Sequence, residues 1–167
     1  MELKTAFYED VLDDEISISQ DMGSINHAKI QSRMAKVLGN AYDDEYEILT
    51  ELSLDLSSGG AKPDLAIYPI IEDDWYHDTV KEKEPPLLVI EILSPLQHLS
   101  DVTNKIDDIY FAAGVKSAWV VIPTFETIHV ISPSKKITTF TQGRVHDAAT
   151  GIEMDMDAVF KKRMRKI

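Results

Sequence analysis

Two carboxylates stand where apolar side chains are expected. Asp64 opens the run DLAIYP (64–69), and Glu91 interrupts LLVIEIL (87–93). An unpaired anion buried in a strand costs several kcal/mol or is driven to a raised pKa, so each acid needs a partner or a path to water. For Asp64 the choices are a metal ion, a lysine or solvent. For Glu91 they are a metal ion, a nearby Lys or a solvent gap. If the two strands are neighbours, both carboxylates can converge on one hard cation. Mg²⁺ and Mn²⁺ take such oxygen ligands, and a peptide carbonyl from the same strand, such as that of Ile92, can join them. An ion held this way stabilises charge on a phosphoryl group and lowers the pKa of an attacking water.

Lys105 is the third element. It stands one helical turn after Asp101, where an exposed i, i+4 pair is worth a few tenths of a kcal/mol. Alternatively its ammonium reaches back over the end of the Glu91 strand, to orient a water or stabilise phosphoryl charge. Asp, Glu, Lys and a divalent ion together make a complete set for phosphodiester hydrolysis. His27, early in a helix, is either a surface or capping residue or a site residue. Glu51 lies on the polar face of its strand, solvated or brought towards Asp64 through a hairpin. His77, His98, His129 and His146 are scattered without zinc-like spacing. Ser94 lacks the G-x-S-x-G context of a hydrolase nucleophile. GSINHAK and SSGGAKPD match neither a P-loop nor a dinucleotide fingerprint.

The elements that must carry these residues follow from periodicity. Residues 24–41 read as a helix capped by Ser24, with a stripe of Ile30, Met34, Val37, Leu38 and Ala41, fraying at Gly39-Asn40. EILTELSLDL (47–56) alternates as one strand and forms a hairpin with 64–69 through SSGG, with Pro63 as an edge residue that starts its strand. Residues 71–86 are a charged loop or a short helix. LLVIEIL has the continuous apolar character of a strand buried on both faces. Residues 100–115 form a helix capped by Ser100 and stopped by Gly114, with Val102, Ile106, Ile109 and Ala113 inward. SAWVVI (117–122) is another buried strand, and strand, helix and strand from 87 to 122 suit a parallel crossover. TIHVIS (127–132) and ITTFTQ (137–142) make a later hairpin, and GIEMDMDAVF closes on a short strand and a helical turn. The expected fold is α/β (or α+β), a single domain with a mixed central sheet flanked by helices. It divides into an N-terminal arm over 1–20, a core over about 24–142 and a closing segment over 143–167.

Composition sets outer bounds. The 167 residues suit one domain, and 28% charged residues are ordinary for a soluble protein. No cysteine is present, which removes disulfides, thiolate metal sites and a Cys nucleophile and fits a cytoplasmic location. There is no signal-like N-terminus and no membrane span. The net charge of −12 opposes a general electrostatic grip on nucleic acid. KKRMRKI (161–167) is a local basic cluster, whose plainest reading is a solvated tail.

In order, the chain presents PD (63–64), EIL-SP (91–95), D-x-x-x-K (101–105) and Y-x-x-x-GV-x-x-x-W-V-V (110–121). From about His27 to the end this series resembles the Uma-two family of putative restriction endonucleases, within the PD-(D/E)XK nuclease superfamily. The resemblance implies a Mg²⁺-dependent nuclease acting on DNA. Asp64 and Glu91 would hold the metal with the Ile92 carbonyl, and a homodimer is the expected assembly. At the motif's lysine position this chain has Leu93, and the branch is thought to use a lysine displaced to the following helix, here Lys105. Lys105 to Tyr110 also spans one residue more than expected in relatives. The alternative is a non-catalytic binding module for nucleic acid or protein that keeps the fold.

Overall fold

The computed structural model describes residues 23–166, so the expected arm over 1–20 lies outside the described residues. Helix α1, Ile25–Tyr42, begins where expected, with the Ser24 hydroxyl accepting the His27 N–H at 3.2 Å. His27, Ile30, Met34 and Leu38 form its buried stripe. It continues through Gly39 and Asn40 to Tyr42 rather than fraying, because Val37 and Tyr42 also pack on the core.

The central sheet has six strands. In chain order they are β1 (Tyr46–Thr50), β4 (Leu65–Pro69), β5 (Leu88–Ile92), β6 (Ser117–Ile122), β7 (Thr127–Ile131) and β8 (Ile137–Phe140), and they lie side by side in that order. Only β5 and β6 are parallel, so the sheet is mixed as expected. The parallel pair requires a crossover. It is made by helix α2, Leu99–Lys105, which runs into a π-helical segment, Ile106–Phe111. The start of α2 corrects the sequence reading: His98, not Ser100, occupies its N-cap position. Gly114 does end the segment, at φ 100°.

Residues 47–56 are not one strand. Glu51 adopts φ 56°, a left-handed conformation that ends β1. The chain then forms β2 (Leu54–Leu56), which pairs with β3 (Gly59–Ala61) as a separate ribbon. The loop over 71–86 stays non-helical and is tied to this ribbon, since Glu82 exchanges backbone hydrogen bonds with Ser53 and Asp55. Alternation still chose the faces correctly, with Leu54 and Leu56 buried and Asp55 exposed. Pro63 is not an edge residue: β4 lies between β1 and β5, and Pro63 is buried just before the ladder begins at Leu65.

Both sheet faces are covered, which is why β5 reads as a nearly unbroken apolar run. Leu65, Ile67, Leu88, Ile90, Ile92 and Trp119 face the Ile30–Met34–Leu38 stripe of α1. The closing segment joins that side through β9 (Arg144–His146), β10 (Glu153–Asp155) and helix α3 (Met156–Phe160). It also supplies buried Asp147, whose carboxylate accepts the Trp119 indole N–H at 3.0 Å. On the opposite face Val89, Ala118 and Val120 pack under Val102, Ile106 and Tyr110. Among the described residues no helix is long and apolar enough to cross a membrane.

Candidate active site

A cavity of about 420 Å³ is bounded by the N-terminal half of α1, the start of β4, the end of β5 and the end of α2. All six residues singled out by sequence line it: His27, Glu51, Asp64, Glu91, Ile92 and Lys105. The antiparallel register of β4 and β5 sets Leu65 opposite Ile90, so one step further Asp64 is level with Glu91. Cross-strand residues at one level project to the same face. The Ile92 N–H donates to Asp64 Oδ2 at 2.6 Å, fixing that carboxylate to the neighbouring strand.

Glu91 is nearly inaccessible, its side chain 4% exposed, and it is fully partnered. Lys105 Nζ donates to both of its oxygens, at 3.1 and 3.2 Å. The Tyr110 hydroxyl donates to Oε1 at 2.5 Å. Lys105 therefore reaches back over the strand end to Glu91 rather than pairing with Asp101, and Glu91 has the nearby lysine that was one of its possible partners. The π-helical segment makes the double contact possible. In an α-helix, residues five apart point about 140° away from each other. A π turn closes i to i+5 and stacks them instead, so Lys105 and Tyr110 meet the same carboxylate. The extra residue between them is absorbed by the helix.

Burial pushes the Glu91 carboxyl above its ordinary pKa, and nearby Asp64 adds to this, while Lys105 and Tyr110 oppose it. Burial and Glu91 push the Tyr110 phenol far up, so it is a fixed donor. His27 Nε2 lies 2.8 Å from Asp64 Oδ1. That hydrogen bond raises the His27 pKa, outweighing burial, with further help from the charges of Asp64, Glu51 and Glu91. Glu51 is half-exposed and still lines the cavity: it accepts from Gln31 at 2.7 Å and pairs with Lys62 at 3.2 Å. Gln31 also donates to the Asp64 carbonyl at 3.0 Å, as does the Glu51 N–H at 3.2 Å. Left-handed backbone at a non-glycine residue is a strain that tends to collect at functional sites.

Among the described residues, no three His, Asp or Glu side chains are gathered closely enough to hold an ion by themselves. The donor chemistry nevertheless fits Mg²⁺ or Mn²⁺, which are held by one or two carboxylates with water and substrate oxygens completing the shell. Asp64 raises the pKa of Glu91, a repulsion that a divalent cation would relieve. Leu93, at the motif's lysine position, is partly buried against the α2-side core. Tyr110 and Gln31 were not expected as site residues. The sequence signals for Tyr110 were its place at the head of the 110–121 motif and its distance from Lys105; Gln31 gave none.

No curated protein matches this chain. A crystal structure of a putative nuclease belonging to DUF820, from Anabaena variabilis, is similar in fold, with a TM-score of 0.70 at 21% identity. The match covers 83% of this chain and 82% of that one. The Uma2 family model, described as putative restriction endonuclease, matches residues 4–157. With nearly its whole length matched, the chain belongs to the Uma2 family of putative restriction endonucleases.

Proposed function

We propose that this chain is a divalent-metal-dependent nuclease that hydrolyses phosphodiester bonds in DNA. The observation that carries the reading is the meeting of Asp64, Glu91 and Lys105 in one cavity, with a partly buried Lys105–Glu91 ion pair in its wall. Asp64, Glu91 and the Ile92 carbonyl would hold Mg²⁺ or Mn²⁺. The ion would supply Lewis-acid stabilisation of the phosphoryl oxygens and a water of lowered pKa. The remaining work falls to this chain's own groups. His27 orients Asp64, and Tyr110 holds one oxygen of Glu91. Lys105, a quarter exposed on the cavity wall, orients the attacking water and offsets charge on the phosphate. Two nicks on a duplex need two such sites, so a homodimer is the expected assembly.

The second reading, a non-catalytic module that keeps the nuclease fold, is favoured by one feature. Both carboxylates already have protein partners, His27 and the Ile92 N–H for Asp64, Lys105 and Tyr110 for Glu91. Mn²⁺ titration followed by thermal unfolding separates the two readings when combined with incubation on plasmid, single-stranded DNA and RNA. The nuclease reading expects Mn²⁺ to stabilise the wild type and not Asp64→Ala, and DNA cleavage to be lost in Lys105→Ala. A wild type that neither responds to Mn²⁺ nor cleaves would leave the binding module.

A further inference from the structure

A second cavity, larger than that of the site, lies beside it and is basic. A groove of about 780 Å³ runs between the outer face of α1 and the C-terminal residues after α3. Lys29, Arg33 and Lys36, at i, i+4 and i+7, form one bank; Lys161, Lys162 and Arg163 form the other. Six of the chain's 17 basic residues thus line one groove of a protein whose net charge is −12. Among the described residues Glu126 is the one acid on its walls, and it lies 3.7 Å from Lys162. The far bank is built rather than loose. Arg33 Nη1 donates to the carbonyls of Val159 and Lys161 at 2.7 and 3.0 Å, tying the chain end to α1.

We infer that this groove is a track for the phosphate backbone of the DNA whose scissile bond enters the neighbouring cavity. The inference rests on the nuclease reading for the direction of the strand. Ala28 borders both cavities, with His27 and Gln31 facing the site and Lys29 and Arg33 the groove. One strand can therefore pass from groove to site around a single helix. From Lys29 to Lys36 the helix rises about 10 Å. That length matches about three phosphates at roughly 3.4 Å of rise per strand. Gathering six cations in one groove is electrostatically unfavourable unless a polyanion relieves it, and the carboxylate excess elsewhere would steer DNA away from other surfaces.

The test is anisotropy of a short labelled duplex with the full chain in EDTA, across a salt series. Wild type should bind with a steep salt dependence, about −0.9 in slope for each phosphate neutralised. Lys29→Glu/Lys36→Glu, and separately Lys161→Glu/Lys162→Glu, should weaken binding at least about tenfold and flatten the slope by about two. Both variants should melt like wild type; Arg33 is left intact because it holds the chain end. Variants that bind with wild-type affinity and slope would overturn the inference, as would polyglutamate binding the groove more tightly than the duplex. Mn²⁺-dependent cleavage by the wild type is scored separately. Cleavage unaffected by both variants removes the groove alone. Salt-dependent groove binding by a chain that cleaves nothing removes the nuclease reading and leaves the groove.

Discussion

At the scale of single residues, the site is organised around the cost of keeping Glu91 ionised inside the sheet. Lys105 and Tyr110 offset that cost from the helix side, and Tyr110 does so as a pure donor. Tyr110→Phe removes one of the two donors to Glu91 Oε1 and leaves Lys105 alone on it, a loss of about 1.5–3 kcal/mol for a hydrogen bond to a charged group. Because the hydroxyl favours the ionised form of Glu91, its removal drives that pKa further up. Urea unfolding should therefore show the destabilisation, and stabilisation by Mn²⁺ should require a higher pH than in wild type. Unchanged stability together with an unchanged Mn²⁺ profile would mean that Tyr110 does not support the carboxylate.

At the scale of elements, the π-helical segment sets which side chains reach the sheet. The Ser58 hydroxyl donates to the carbonyl of Ile109 inside this segment, bracing it from the turn between β2 and β3. Deleting exposed Asp108 converts Lys105 and Tyr110 into an i, i+4 pair on an ordinary α-helix, still on one face. The shortened protein should fold, keep its Mn²⁺ response and show a Tm no lower than wild type by more than a few degrees. Inserting an alanine after Asp108 should turn Tyr110 away from Glu91 and lower the Tm sharply. Circular dichroism melts of the two variants check this; a deletion that unfolds the protein would show that the π turn is needed for more than register.

At the scale of the whole molecule, this site links stability to pH. Glu91 is raised above 4.5 by burial, and His27 is raised above 6.5 by its bond to Asp64. Each folded-state group keeps its proton at pH values where the unfolded chain has lost it. Its contribution is complete below the unfolded value and is lost as pH rises through the folded one. Glu91→Gln should therefore gain stability relative to wild type as pH rises through the Glu91 transition, a gain absent below about 4.5. On the proposed metal-dependent reading, Mn²⁺ favours the ionised carboxylate, so the wild-type Tm gain expected from the ion should grow with pH and vanish in the variant. Thermal melts at several pH values, with and without Mn²⁺, decide the matter.

Much of this was legible in the chain because burial and periodicity are local signals. An acid at the head of DLAIYP and another inside LLVIEIL announce a polar site, since strands buried on both faces do not otherwise carry them. The mixed sheet followed from the same patterns, and the order of motifs pointed to the family. Other features depended on contacts distant in sequence. The break at Glu51 is a backbone conformation that alternation does not register, tied to Gln31 and Lys62. The pairing of Lys105 with Glu91 rather than Asp101 depended on the helix passing over the end of β5. The basic groove lay divided between residues 29–36 and 161–163, over a hundred positions apart. The chain's own order determined which residues were candidates for the site. Only tertiary packing decided what those residues touch, because a side chain's partners are set by the faces that folding brings together.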